Sequence, residues 1–171
     1  MVIHELSHEE CLKAIAKTRF GRLACAHHNQ PYVVPVYYAY HKGVDGASYL
    51  YSFTTVGQKV EWMRVNPLVC MEWDEVEKYD RWISVIAFGR YEELMGDPEA
   101  GRHDEELAHE IQRAYELLRK QSATWWQPAA AAFARRTLSD PTRSWNPIYY
   151  RIRIDRVSGR RATADTEVSA R

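Results

Sequence analysis

A proline stands inside the most strand-prone segment of the chain and restricts where that strand can lie. Residues 31–40 read Pro-Tyr-Val-Val-Pro-Val-Tyr-Tyr-Ala-Tyr, a run of branched and aromatic side chains typical of a β-strand. Pro35 has no N–H to donate to a neighbouring strand. The segment must therefore lie at a sheet edge, carry a bulge, or turn toward a ligand at this point.

Other segments of the chain share this strand character, and turn or helix signals separate them. Besides Pro31–Tyr40, the predicted strands are Phe20–Ala26, Tyr49–Phe53, Leu68–Trp73, Arg81–Leu94 and Ile148–Val157. We expect a bend at Gly89, an acidic turn at 74–77, and loose polar residues after Gly159. About six short strands with a few helices predict a mainly β fold with α additions, a small antiparallel barrel with flanking helices.

Three helices are predicted around this sheet, besides a shorter one described below. Ser7 and Glu10 have capping-box spacing and start a helix that runs to about Lys17. Asp97-Pro98 starts a long helix, whose apolar stripe comprises Leu107, Ile111, Ala114, Tyr115 and Leu118. An alanine-rich helix at 125–135 and a loop at 139–145 follow. We expect one domain over 1–171 with a helical insertion at about 97–136.

The segment 49–64 combines a strand, a hydroxyl-rich turn and a helix start. Thr55 and Gln58 have capping-box spacing, which predicts that the helix begins there, with Gly57 and Lys59 in or near its first turn. A helix start presents unpaired N–H groups and partial positive charge, so it suits a phosphate. The hydroxyls of Ser52, Thr54 and Thr55 and the charge of Lys59 add donors. The segment therefore predicts a site for a phosphorylated small molecule.

Composition excludes several other classes of function. The 23 basic and 23 acidic residues cancel, so no global basic field favours nucleic acid or an anionic membrane. No apolar run is long enough to cross a membrane, and the N-terminus does not resemble a signal peptide. The three cysteines and seven histidines show no metal-ligand spacing. We expect a cytoplasmic protein without a metal site, and the absence of a Gly-x-Ser-x-Gly motif argues against a hydrolase.

Four motifs in this order resemble the pyridoxamine 5′-phosphate oxidase-like, FMN-binding split-barrel family, in particular its small nitroimidazole-resistance-type members. They are Arg19–Ala24, Pro31–Val36, Gly57–Lys59 with Asn66-Pro67, and Trp82–Val85 with Gly89-Arg90. The resemblance covers about residues 5–95, and the last strand also fits. It implies a six-stranded antiparallel split barrel that forms a homodimer, with flavin mononucleotide (FMN) at the subunit interface.

The resemblance also implies a role for each matching position. Lys59 would contact the flavin phosphate, with Arg64 as a helper, and the backbone of Val33–Val36 would pass under the flavin ring. Trp82 and Ser84 would lie near the ring or ribityl chain, with aromatic residues such as Trp145 or Tyr149 crossing from the other subunit. The full set of implied cofactor-binding residues is Val33, Val34, Pro35, Val36, Ser52, Phe53, Thr54, Thr55, Gln58, Lys59, Trp82 and Ser84.

The sequence departs from its relatives in two places. Many nitroimidazole-type relatives carry a histidine on the strand before the Gly-x-Lys turn, where this chain has Ser52-Phe53. The C-terminal Trp and Arg pattern of true pyridoxamine phosphate oxidases is missing, which argues against vitamin B6 oxidation. The resemblance implies an oxidoreductase that takes electrons from a reduced nicotinamide and acts on a small organic substrate. A non-catalytic flavin binder, a deazaflavin-dependent reductase and, less favoured without the histidine, a haem protein remain alternatives.

Overall fold

A computed structural model describes residues 1–94, 104–121 and 148–164. In these ranges the elements are β1 (Val2–Glu5), α1 (His8–Lys17), β2 (Phe20–His27), β3 (Gln30–Tyr37), β4 (Ala39–Lys42), β5 (Ser48–Thr54), α2 (Gln58–Val65), β6 (Leu68–Lys78), β7 (Arg81–Glu93), α3 (Asp104–Gln121) and β8 (Ile148–Thr163). All strand pairs are antiparallel, in the order β3-β2-β6-β7-β8-β5-β4, with β1 beside β8. This arrangement is the expected mainly β split barrel with helical additions.

Pro35 lies on an edge strand, where the lack of a backbone N–H costs the fewest hydrogen bonds between strands. Among the described strands, β3 ends the strand order and pairs with β2 alone, so Pro35, opposite Arg22, faces an open edge on its other side. Of the three alternatives for this segment, the structure shows the edge position. The long segment 31–40 is divided at Tyr38, after which β4 pairs with β5 instead of continuing along β2.

The core lies inside the curved sheet and is closed at one end by α1. The predicted capping box is confirmed, because Ser7 and Glu10 cap α1 reciprocally. Cys11 and Ile15 are fully buried on the sheet-facing side of this helix. The hydroxyl of Tyr38 donates to the Ile15 carbonyl oxygen at 2.8 Å and pairs with the Thr18 hydroxyl at 2.5 Å. These bonds fix the end of α1 against the sheet.

Strand β7 bends where the sequence predicted. The pairing between β7 and β8 shifts register between Phe88 and Gly89. A side chain on Gly89 would place Cβ 2.3 Å from the Arg153 carbonyl oxygen, so only glycine allows the two backbones to approach this closely.

Several predicted boundaries are wrong, and in each case pairing extends the strand. Residues 74–77 do not form a turn, because β6 continues to Lys78 along β7, with Asp74 opposite Ser84. Residues 160–163 are not loose, because they pair with β7 on one side and β1 on the other. The described residues hold eight strands and not six, since β1 is additional and segment 31–40 forms two.

The predicted long helix exists over Asp104–Gln121, and its stripe faces the sheet. Ala114 and Leu118 are buried, and Leu107 and Ile111 pack on Tyr49 and Tyr51. The predicted start at Asp97-Pro98, the helix at 125–135 and the loop at 139–145 lie outside the described residues. Within the described ranges, no helix is long and apolar enough to cross a membrane.

Candidate functional site

The start of α2 is the centre of the candidate site. Its N-cap is Gly57, and no side chain caps the helix. The predicted capping box is therefore wrong, since Thr55 lies two residues before the cap and Gln58 is the first helical residue. In this first turn the N–H of Val60 donates to the Gly57 carbonyl oxygen at 2.9 Å, whereas the N–H groups of Gln58 and Lys59 have no acceptor within the helix. A Cβ on Gly57 would meet nothing within 4 Å, so open space lies beside the backbone of the N-cap.

Lys59 lies in this first turn and is only half exposed. Burial lowers the pKa of its ammonium group, and the thiol of Cys25 only partly opposes that shift. No carboxylate among the described residues forms an ion pair with Lys59, which is unusual for a partly buried cation. Lys59 is therefore a partly buried ammonium group whose counter-charge does not lie within residues 1–94, 104–121 and 148–164.

The hydroxyl residues before α2 divide into structural and available groups. Ser52 is buried and donates to the Tyr37 carbonyl oxygen at 2.6 Å, which joins β5 to the end of β3. Thr54 is also buried, and its hydroxyl donates to the Thr55 carbonyl oxygen at 3.3 Å. Thr55 itself is half exposed, and its hydroxyl bonds to none of the described residues. The Thr55 hydroxyl and the side-chain amide of the exposed Gln58 are therefore the polar groups of this segment that are best placed for a ligand.

Strand β3 presents alternate side chains to opposite sides. Val34 and Val36 point into the core, where Val36 is 8% exposed. Val33 is 56% exposed, and Pro35 is exposed beside it. The backbone of this strand and the side chains of Val33 and Pro35 are thus accessible from outside. Phe53 is half-buried, and its ring lies 6.3 Å from that of Tyr149, between centroids.

Trp82 and Ser84 are not gathered into this corner. The register runs from Pro35 through Arg22 and Glu72 to Ile86, so β7 lies three strand spacings from β3, about 14 Å across the sheet. Trp82 and Ser84 instead border a separate shallow cavity of about 670 Å³, which Leu6, Ser158, Gly159 and Arg160 complete. Within one chain, the predicted residues therefore form two groups.

Val33 and Pro35 of the first group, and Trp82 and Ser84 of the second, lie on one side of the sheet, which we call the open face: the outward sides of β3, β2, β6 and β7. Val33, Ala24, Cys70 and Phe88 form one row across these four strands because they are register partners. Val33, Phe20, Leu68 and Phe88 are exposed apolar side chains. Arg22 pairs with Glu72 at 2.8 Å, and with Asp74, in the middle of this face.

Arg64 does not reach the helix start. It lies in the last turn of α2 and makes two bonds to the Glu93 carboxylate, at 2.8 and 2.6 Å. These bonds raise the pKa of Arg64 and lower that of Glu93. The expected role of Arg64 as a phosphate helper is therefore not supported by its position.

Tyr150 is a neighbour of the site that the sequence did not indicate. It is fully buried and is the register partner of Ser52. Burial raises the pKa of its hydroxyl to about 12, and the Ser52 hydroxyl partly opposes that shift. Position 150 alternates like any core residue of a strand, so no sequence signal marks it.

Helix α3 flanks the same corner. Leu118 is buried in one cluster with Tyr37 and Ala39, and Leu117, Phe53 and Tyr149 pack against this cluster. Of the two residues proposed to cross between subunits, Trp145 lies outside the described residues, whereas Tyr149 lies in this cluster. Among the described residues, no three His, Cys, Asp or Glu side chains come together as a metal site.

Comparison with known proteins gives the family. The sequence model of the pyridoxamine 5′-phosphate oxidase family matches residues 7–161. The chain belongs to this family. An uncharacterized protein of Rhizobium meliloti strain 1021 is 35% identical over 164 residues, which cover 96% of this chain and 98% of that protein.

Solved structures agree with this assignment. An FAD-binding protein of Mesorhizobium loti is 36% identical, with a TM-score of 0.67, covering 96% of this chain and 99% of that one. A 5-nitroimidazole antibiotic resistance-type protein of Bacteroides thetaiotaomicron shares 14% identity and a TM-score of 0.61, covering 94% and 89% of the two chains. The second likeness supports the fold alone.

Proposed function

We propose that this protein is a flavoprotein that binds riboflavin 5′-phosphate, or the same phosphate within FAD, at the start of α2. The observation that carries the proposal is Lys59, a half-buried cation at an uncapped helix start that has no carboxylate partner among the described residues. An anionic ester at this point would accept bonds from the free N–H groups and the ammonium group. Membership of the family and the FAD-binding relative support a flavin as the carrier of that phosphate.

The residues of this corner fit the remaining parts of the cofactor. Thr55 and Gln58 would donate to the phosphate, while Ser52, Phe53 and Thr54 would border the ribityl chain. The ring would lie against the exposed backbone of β3 at Val33–Val36. Pro35 suits this role because it leaves no N–H unpaired on the covered edge.

We further propose that a second copy of the chain completes the site. Trp82 and Ser84 lie about 14 Å across the sheet from Pro35, too far to touch the same flavin ring within one chain. A two-fold axis on the open face would bring Ser84 of the partner subunit toward β3 of the first. The exposed apolar row on this face is the kind of surface that a homodimer buries.

The proposed activity is an oxidoreductase reaction on a small organic substrate, with a reduced nicotinamide as the donor. A bound flavin supplies the hydride chemistry. The contribution of the chain is to anchor the phosphate, to orient the ring against β3, and to exclude water from one side of it. These roles require positioning more than a proton-transfer dyad.

The test is a titration of the purified protein with riboflavin 5′-phosphate, followed by visible absorbance and equilibrium dialysis. We expect stoichiometric uptake, or flavin already bound after purification. A protein that neither carries nor takes up flavin would refute the proposal.

Anaerobic mixing with a reduced nicotinamide then separates the two remaining functions. Bleaching of the flavin band at a rate that saturates with the nicotinamide supports an oxidoreductase. A bound flavin that stays oxidised supports the non-catalytic flavin-binding alternative.

A further inference from the structure

A cavity of about 390 Å³ lies at the end of the barrel, between α1 and the hairpin formed by β6 and β7. We propose that this cavity binds a small zwitterion, whose ammonium and carboxylate groups are held apart by an apolar spacer. The site is separate from the proposed flavin corner. Of the described residues, Trp82 alone lines both this cavity and the one beside Ser84, so binding here does not depend on a bound flavin.

The floor of the cavity is apolar and belongs to the inner side of the sheet, opposite the open face. Trp73 and Val85 are register partners on β6 and β7, and they are 4% and 1% exposed. Ile83 precedes Val85 by two residues, so it lies on the same side of β7 and continues this surface toward solvent. An apolar group placed on this floor would be removed from water, which favours binding.

Charged groups of opposite sign flank this floor. Glu75 and Arg161 are both register partners of Ile83, so the three residues form one row across β6, β7 and β8, on the same side of the sheet. The spacing of strands puts the backbones at the two ends of this row about 10 Å apart. A carboxylate at one end and a guanidinium at the other therefore match a ligand that carries two separated charges.

The walls of the cavity repeat this division of charge. From α1 and the end of β8, three cations and one carboxylate line it: Glu10, Lys13, Lys17 and Arg161. From the hairpin of β6 and β7, three carboxylates and one cation line it: Asp74, Glu75, Glu77 and Arg81. The two walls together are neutral, so they favour neither a plain anion nor a plain cation. A zwitterion can lie with each of its charges toward the wall of opposite sign.

The ion pairs already present in the cavity do not prevent this binding. Arg161 Nη1 lies 3.8 Å from Glu10 Oε1, and Arg81 donates to Glu77 at 3.4 Å. The side chains of these four residues are between 44% and 66% exposed. Because exposed pairs contribute little free energy, a ligand can exchange them for its own bonds at small cost.

The test compares four probes, each with one benzene ring, in the purified full-length protein. The compound 4-(aminomethyl)benzoate carries an ammonium and a carboxylate at opposite ends of the ring, and its isomer phenylglycine carries both on one carbon. The other two, 4-methylbenzoate and benzylamine, carry one charge each. We expect 4-(aminomethyl)benzoate to bind at least about threefold more tightly than each of the others. Absence of binding, equal affinities, or tighter binding of any other probe would overturn the inference.

The titrations are followed in two-dimensional proton–nitrogen NMR spectra, because the indole N–H signals report where the ligand lies. The signals of Trp73 and Trp82 should shift, since both residues line the cavity. The signal of Trp62 should stay in place, since this residue of α2 lines neither cavity. If the signals of Trp73 and Trp82 did not move during saturable binding, the ligand would lie elsewhere and the proposal would be contradicted.

Two substitutions connect the charges of the ligand to the ends of the row. Glu75→Gln should abolish the advantage of 4-(aminomethyl)benzoate over 4-methylbenzoate, and Arg161→Gln should abolish its advantage over benzylamine. The matched controls are Glu61→Gln on α2 and Arg160→Gln, the preceding residue of β8, which lines the other cavity. All four side chains are exposed, so we expect each variant to fold.

Both controls should keep the wild-type order of affinities. Wild-type ratios in Glu75→Gln or Arg161→Gln would show that the row does not hold the ligand. Equal changes in a substitution and its control would likewise remove the row from the account. A protein that binds no flavin can still pass this test, so its failure and that of the proposed function are distinguishable.

Discussion

Two partly buried cations, Arg151 and Lys59, are in opposite electrostatic situations. Burial alone would lower the pKa of Arg151, but bonds to Glu92 and Tyr51 outweigh it, and the pKa is raised. Burial also acts on Lys59, where no carboxylate among the described residues opposes it, and the pKa falls. Arg151 therefore has its counter-charges within the described chain, whereas the counter-charge of Lys59 in our proposal is the phosphate of the flavin.

Two apolar surfaces of the sheet also differ in whether the chain itself covers them. Beside Arg151, α3 covers Tyr49 and Tyr51, so the apolar surface of β5 is closed by the chain itself. On the open face, Val33, Leu68 and Phe88 remain exposed. The comparison separates apolar surface that the chain itself covers from apolar surface that stays exposed within the described residues.

The largest expected effect is the loss of stability on removal of Arg151, the cation whose counter-charges lie within the described chain. Arg151→Met would leave Glu92 partly buried without its cation and Glu110 with only its second cation, Arg113, so the free energy of unfolding should fall by about 2–3 kcal/mol. Chemical denaturation measures it, with Arg153→Met as the control, because Arg153 is exposed on the same strand. If both variants lost the same stability, Arg151 would not have the structural role assigned to it.

The next largest effect is expected from a substitution on the open face, and it concerns self-association and not folding. Val33→Asp places a charge in the apolar row and should weaken self-association at least tenfold, about 1.4 kcal/mol. Val44→Asp introduces the same charge at a fully exposed position of the β4–β5 turn and should change nothing. Sedimentation equilibrium distinguishes the two variants. A wild-type monomer would disprove the proposed dimer, as would a dimer that tolerates Val33→Asp unchanged.

A smaller effect of opposite sign is expected at Lys59. In the flavin-free protein, Lys59→Met removes an uncompensated charge, so the free energy of unfolding should stay level or rise by up to about 1 kcal/mol. Denaturant titrations of both proteins without cofactor provide the measurement. A loss comparable to that of Arg151→Met would show that Lys59 has a stabilising partner, and the contrast between the two cations would disappear.

The smallest expected effect is the pH dependence of the stability difference between wild type and Lys59→Met. The folded-state pKa of Lys59 lies below its ordinary value of 10.5, so its destabilising contribution is fully present below the folded pKa. In the window up to 10.5 the unfolded chain binds more protons, and stability rises with pH. The stability gap between wild type and Lys59→Met should therefore narrow across this window. A gap that widens would reverse the sign of the pKa shift.

The sequence predicted those parts of the fold that depend on local signals. The α1 capping box and the irregularity at Gly89 follow from local residue patterns, and Pro35 limited its strand to three alternatives, of which the structure shows the edge. The extensions of β6 and β8 were missed because they depend on partners distant in sequence. Asp74 looks like a turn residue, but it pairs opposite Ser84 and forms an ion pair with Arg22.

The part of the candidate site that lies in one short segment could also be predicted from the sequence, whereas its tertiary contacts could not. Lys59 and Gly57 stand in one short segment, so their proximity required no tertiary information. The predicted capping of α2 by Thr55 was wrong. Because no side chain caps this helix, more of its first N–H groups are free for a ligand than the sequence suggested. The separation of Ser84 from β3 depends on strand order, and the packing of Leu117 beside Phe53 depends on the docking of α3. Neither leaves a signal in the local sequence.

The most direct test of the account compares four affinities: wild-type protein and Lys59→Met, each titrated with riboflavin and with riboflavin 5′-phosphate. The account predicts that Lys59→Met weakens binding of the phosphorylated flavin by about 10–100-fold, as expected for loss of a charge-assisted bond. Riboflavin, which has no phosphate, should lose less than about twofold. Equal losses for both flavins would mean that Lys59 does not hold the phosphate, and the account would be contradicted.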